Sequence, residues 1–153
     1  MDLILWRHAE AIDLELVGDD MARSLTPRGE RQAARMAAWL DRQLPDGAKV
    51  MVSPALRAEQ TAMALERKFK ICPALAPLSN VDQLLELVQW PYNKACVVVV
   101  GHQPILGQAI ARLLNLNASE CAVKKGALWW LRHREREEGS QTVIVTVQSP
   151  EVL

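Results

Sequence analysis

The sequence predicts an α/β protein: three layers, α/β/α, around a mostly parallel sheet that ends in an antiparallel hairpin. Three observations carry this. Apolar runs "LILW", "KVMV" and "VVVV" each break at polar residues, "RH", "SPALR" and "GHQP". Each run is followed by a segment with helical periodicity or a polar loop leading to one, the alternation that builds parallel sheets. The last third then changes to "GALWWLRHR" and "QTVIVTVQ", two strand-like runs joined by the charged "EREEGS", which reads as a hairpin.

Leu3, Ile4, Leu5 and Trp6 suit a strand buried on both faces, with Arg7 and His8 at its carboxyl end. The polar "DLELVGDDMARSLT" reads as a long loop. "TPRGERQAARMAAWLDRQL" follows as a helix: Thr26 can cap it, Pro27 fits its first turn, and Ala34, Met36, Ala37, Leu40 and Leu44 offer an apolar stripe. "AKVMVSP" is the second strand and "ALRAEQTAMALERKF" the helix after it. "KICPALAPL", with two prolines, suits an edge strand or loop. "NVDQLLELVQW" is a short amphipathic helix, "ACVVVVGH" a central parallel strand, and "PILGQAIARLLNL" the helix that follows.

At 153 residues, half of them hydrophobic, the chain fits one domain spanning 1–153, with no linker, repeat or low-complexity tract. Eighteen basic residues balance eighteen acidic ones, which gives no support to a nucleic-acid or anionic-membrane partner. Trp129 and Trp130 next to Lys124 and Lys125 do not change this, because adjacent strand residues face opposite sides. Arginines outnumber lysines twelve to six, favouring bidentate grips on carboxylate or phosphate. Cys72, Cys96 and Cys121 are widely spaced and odd in number, so no disulfide framework or zinc ribbon is expected. With no signal-peptide pattern and no apolar stretch long enough to span a bilayer, a cytoplasmic protein is expected.

Parallel strands would bring Arg7, His8, Arg57 and His102 to one edge of the sheet, where open α/β sheets hold their ligands. Two guanidiniums and two imidazoles, with no carboxylate in the same motifs, make a costly concentration of positive charge unless an anion visits. A phosphoryl group is the best match, tetrahedral and rich in acceptor oxygens. A neutral imidazole can also attack phosphorus and carry the group covalently. No C-x₅-R loop and no G-x-x-x-x-G-K-[ST] loop is present, and His133, in the charged hairpin, is expected to be exposed. No cofactor and no metal are expected.

"RHAEA", "LTPRG", "SPALRAEQTA" and "GHQP", in that order, resemble the histidine phosphatase superfamily, also called phosphoglycerate-mutase-like, and most closely its SixA-type branch. The resemblance runs from the first strand to His102. It implies that His8 is the nucleophile, transiently phosphorylated, that Arg7 and Arg57 grip the phosphoryl oxygens, and that His102 donates to the same group. Arg23 matches an arginine typical of the branch, at the pocket's rim. Gln60 and Thr61 are expected to pack or cap their own helix, and Gln103 to be structural. Ala9 departs from the superfamily's usual glycine, which implies an ordinary backbone conformation at that turn.

Superfamily members acting on alkyl phosphates use a carboxylate to protonate the leaving oxygen. Glu10, Asp13, Asp19, Asp20 and Glu59 are loose candidates and read as solvated charges. The imidazole of a phosphohistidine leaves readily near neutrality, so a dedicated acid contributes less. The chain also has no room for a lid subdomain, leaving an uncovered pocket that suits a side chain projecting from another protein. The expected substrate is therefore phosphohistidine on a protein, such as a histidine phosphotransfer domain. A broad phosphomonoesterase and a non-catalytic phosphoprotein-binding module are the alternatives.

Overall fold

A computed structural model describes residues 1–153. Six strands form one mixed sheet: β1 (Asp2–Arg7), β2 (Lys49–Val52), β3 (Lys70–Ile71), β4 (Val97–Gly101), β5 (Leu128–Arg136) and β6 (Gly139–Gln148). Their order is β3-β2-β4-β1-β5-β6. The first four are parallel, and β5 and β6 run antiparallel as the hairpin. Five α-helices accompany them: α1 (Leu14–Val17), α2 (Pro27–Gln43), α3 (Leu56–Met63), α4 (Val81–Val88) and α5 (Ile105–Leu113).

The period-2 alternation of side chains splits β1 and β4 between two cores. Leu3, Leu5, Val97 and Val99 pack with Leu84 and Val88 of α4 and Leu106 and Ile110 of α5. Ile4, Trp6, Val98 and Val100 face the other way, onto Met36, Ala37 and Leu40 of α2 and Ala58 and Ala62 of α3. Leu3 to Trp6 are fully buried, each contributing about 1.5–3 kcal/mol through lost apolar surface. That is the three-layer arrangement expected, and no subdomain stands over the sheet edge.

Helix α2 begins as its sequence requires, with Thr26 Oγ1 accepting the Gly29 N–H at 3.0 Å and Pro27 in the first turn. Its apolar stripe keeps Met36, Ala37, Leu40 and Leu44 as predicted and differs only at its first position. Ala33 is buried and Ala34 exposed, because Ala33 packs with Ala9 and Leu25 in a small third cluster. The polar loop after β1 also holds more structure than expected: α1, then a 3-10 turn at Asp20–Ala22. Helix α3 stops at Met63, short of the predicted Phe69. Its chain turns at Glu66, where φ is +56°, and Arg67 reaches back to hold Asp41 Oδ1 at 2.8 Å and the Pro45 carbonyl at 2.8 Å. That clamp closes the C-terminal end of α2, a tertiary demand invisible to local periodicity. The prolines keep β3 to two residues at the sheet edge. His133, expected to be exposed, has a side chain only 12% exposed and meets Trp90 edge-on, ring centroids 5.7 Å apart.

Candidate active site

The carboxyl ends of β1, β2 and β4 lie side by side. Arg7 is in register with Gly101, the His8 N–H donates to Gly101 O at 3.1 Å, and the Ser53 N–H donates to Val100 O at 3.0 Å. Arg7 and His8 therefore leave β1 beside His102, which leaves β4, and Ser53, which leaves β2. Arg57 comes from the first turn of α3, immediately beyond "SPA".

Arg57 is the hub. Its Nε donates to His8 Nε2 at 3.3 Å, and its Nη2 lies 3.4 Å from His102 Nδ1. The two imidazole centroids are 5.2 Å apart. Arg7 Nη1 donates to Val123 O at 2.8 Å, while its Nε is buried with no partner. An N–H left unpaired at such a place is costly.

The hydrogen bonds determine both tautomers. His8 Nδ1 faces the Ala9 carbonyl at 2.8 Å. A carbonyl only accepts, so Nδ1 carries the proton and the lone pair sits on Nε2. His102 Nδ1 faces a guanidinium that only donates, so its proton sits on Nε2, which donates to Ser53 Oγ at 2.7 Å. Ser53 Oγ in turn accepts the Ala55 N–H at 3.2 Å. Burial is the main force on both rings and disfavours the charged form. It lowers His8 to about 3, with His102 and the two arginines assisting against the bond to Ala9. It lowers His102 to about 4, with Arg57 next in weight. Both imidazoles are neutral at pH 7. Burial also lowers Arg7 and Arg57 below the usual guanidinium value.

One contact was not anticipated. Asp20, read as a solvated loop charge, places Oδ2 3.1 Å from Arg57 Nη2 and Oδ1 3.1 Å from Arg23 Nη1. Its carbonyl also accepts from Arg57 Nη1 at 2.7 Å. The quartet thus has a carboxylate after all. Burial acts to raise Asp20, but the bonds and charges of Arg23 and Arg57 outweigh it and hold the group below the usual carboxylate range. Arg23, also anchored to Ile12 O at 2.7 Å, reaches the site only through Asp20. The 20–22 turn leans over Arg57, which is 4% exposed, and His8 is 7% exposed. The expected uncovered pocket is free of a subdomain but not of this turn.

Gln60 and Thr61 do more than cap a helix. Thr61 Oγ1 accepts the Ala9 N–H at 3.1 Å and donates to Arg57 O at 2.7 Å, and Gln60 Oε1 accepts the Leu25 N–H at 2.7 Å. They tie α3 to the loop bearing His8 and to the segment leading into α2. Ala9 has no positive φ, and its amide is spent on Thr61, which accounts for the tolerance of alanine there. Gln103 is structural, bridging Cys121 O and the Gly107 N–H. Of the remaining carboxylates, Glu10 accepts from Thr26 Oγ1 at 2.7 Å. Ser53, missed from the sequence, was signalled only by its place in "SPALR".

A sheet of this topology, with paired Arg–His and His at adjoining strand ends, defines a fold class already met among known proteins. Residues 3–91 match the family model of the histidine phosphatase superfamily (branch 1), and the chain belongs to that superfamily. It is 33% identical over 121 residues to the phosphohistidine phosphatase SixA of Escherichia coli (strain K12), covering 74% of each chain. It is 27% identical over 128 residues to the SixA homolog of Haemophilus influenzae, covering 74% of this chain and 77% of the other. A solved structure of the protein histidine phosphatase SixA complexed with tungstate superposes with a TM-score of 0.81, at 27% identity, covering 99% of both chains.

Proposed function

We propose that this protein is a phosphohistidine phosphatase that acts on a phosphorylated protein, through a covalent intermediate on His8. The observation that carries the reading is the His8 ring. Its proton is held on Nδ1 by Ala9 O, and its Nε2 lone pair is turned to Arg57. In the reaction so read, Nε2 attacks phosphorus in line and the P–N bond of the substrate breaks. The departing imidazole nitrogen takes a proton from water. Water then cleaves the new phosphoryl–His8 bond and returns the ring to its starting tautomer. In this reading Arg57, Arg7 and His102 meet the charge on the equatorial oxygens. His102 donates from Nδ1 only after its proton moves there. The Ser53 hydroxyl permits this, since it can accept from Nε2–H or donate to a bare Nε2.

The leaving group follows from the acids. Asp20 is the carboxylate nearest the quartet, and its arginine partners keep it ionised, so it has no proton to give an alkoxide. A phosphoramidate needs none. The related SixA proteins carry the same substrate class in their names. A histidine phosphotransfer domain is the kind of partner whose exposed phosphohistidine would enter from the sheet edge.

The test is to quench turnover of a phosphohistidine protein and search for phosphate on His8 by mass spectrometry under alkaline conditions. The expected result is a single labile phosphoryl group on His8, at least a 10³-fold fall in kcat for His8→Ala (about 4 kcal/mol), and full activity in excess chelator. Equal turnover by His8→Ala would refute covalent catalysis. A preference for sugar phosphates or phosphoserine peptides would instead identify a phosphomonoesterase.

A further inference from the structure

Helix α2 carries a second concentration of positive charge that the quartet does not use. Arg28, Arg31 and Arg35 recur at three- and four-residue spacing and so share one stripe. The stripe lies roughly opposite the buried Ala33, Met36, Ala37 and Leu40. With Gln32, Pro150 and Glu151 the three arginines line an open cleft of about 330 Å³. All three are exposed and none belongs to an ion pair. Arg35 alone has a hydrogen-bond partner, the Pro150 carbonyl at 3.0 Å. Exposed Lys124 and Lys125 extend the basic surface. The carboxylates about it are Glu30, exposed on the same helix, Glu151, held by Lys124 at 2.9 Å, and Glu10, held by Thr26. In a chain of zero formal charge, this is local segregation.

The cleft backs directly onto the loop that carries His8. Gln32 Oε1 accepts the Glu10 N–H at 3.0 Å, two residues from His8. The Gly126 N–H donates to His8 O at 3.0 Å. A Cβ at Gly126 would lie 3.0 Å from Pro150 Cγ and 3.6 Å from Gln32 Cβ. One layer of side chains therefore separates the arginine stripe from the nucleophile's backbone.

We infer that this cleft docks carboxylate side chains of the phosphorylated protein, holding an acidic stretch next to the phosphohistidine. The inference rests on the phosphohistidine reading above and supplies its partner's surface chemistry. Guanidinium forks match carboxylates in pairs. Arg28 to Arg35 spans seven residues, roughly 10 Å of helix, a row too long for one small anion and suited to several acids along a partner's helix. Complementary charge of this kind steers encounter and fixes orientation.

The test uses Arg28→Glu/Arg31→Glu, which removes two exposed side chains that hold no other residue, with Arg28→Gln/Arg31→Gln as a milder form. Three substrates are compared: a helical phosphohistidine peptide with three glutamates on the face beside the phosphohistidine, the same peptide with glutamines, and phosphoramidate. The expected result is a KM for the glutamate peptide about tenfold higher in the charge-reversed enzyme, a smaller rise in the glutamine form, and kcat unchanged. The glutamine peptide and phosphoramidate should keep their KM, and the wild-type preference for glutamate should fade in high salt. A wild-type enzyme indifferent to the glutamates, or a variant that shifts all three substrates alike, would overturn the inference.

Binding separates this from the catalytic reading. Anisotropy of the labelled, unphosphorylated glutamate peptide should show salt-sensitive binding that Arg28→Glu/Arg31→Glu abolishes, even if no phosphohistidine is hydrolysed. No such binding, or loss of inorganic phosphate binding in the variant with peptide binding intact, would refute docking while leaving His8 chemistry untouched.

Discussion

At the scale of single residues, the site is a set of neutral rings and committed protons. His8 and His102, lowered to about 3 and about 4, lie above their pKa from pH 5 to 8 and stay deprotonated throughout. Titration of both rings by NMR should show no charge change in that range, and a midpoint near 6.5 for His8 would contradict the burial that governs it. Asp20 is the other decisive residue. Its carboxylate occupies Arg57 Nη2, so an incoming dianion meets an arginine already paired. Asp20→Asn keeps the shape and removes the charge. Inhibition by inorganic phosphate should strengthen about threefold to tenfold, in keeping with the loss of a half-exposed ion pair. Weaker phosphate inhibition would mean that Asp20 serves the anion rather than competing with it.

At the scale of elements, each sequence motif turns out to be a joint between segments. The glycine of "LTPRG" is the clearest. A Cβ on Gly29 would lie 2.0 Å from Glu10 O, the same carbonyl that accepts the Thr26 N–H at 3.0 Å. The start of α2 is thus laid against the backbone just beyond His8, and only a residue without a side chain fits. Gly29→Ala should displace that loop, lowering kcat at least tenfold and destabilising the fold by about 1–3 kcal/mol. Urea unfolding and phosphohistidine kinetics would read both, and an unchanged kcat would uncouple α2 from the nucleophile. Which elements exist was legible from periodicity and caps, since Thr26, Pro27 and the unbroken valines of β4 act locally. The end of α3 was not, because Arg67 bends back to α2 across 26 positions. Nor was Asp20, because nothing in "GDDMARS" distinguishes it from Asp19 until the chain folds over Arg57. The exposure assigned to His133 failed for a similar reason, since Trp90 covers it from a segment 43 residues away.

At the scale of the whole molecule, a sheet edge that gathers basic groups must be stabilised by the rest of the fold, and the two histidines make that dependence measurable. Their folded values, about 3 and about 4, lie below the roughly 6.5 of an unfolded chain. Between those limits the unfolded state binds more protons than the folded one. Stability is therefore fully present above pH 6.5 and is lost as pH falls toward 4, with a slope approaching about 1.4 kcal/mol per pH unit for each ring. From pH 6.5 to 5 the pair should cost about 3 kcal/mol. Carboxylates add losses of their own at lower pH, so the informative quantity is the difference between the wild type and a His8→Asn/His102→Asn variant. The wild-type urea midpoint should fall clearly over that interval, and the variant's should stay nearly level. Parallel pH profiles for the two proteins would show that the rings titrate as freely folded as unfolded. The site would then be wet, its imidazoles would be protonated in mild acid, and the neutral nucleophile on which the phosphoryl transfer depends would lose its structural basis.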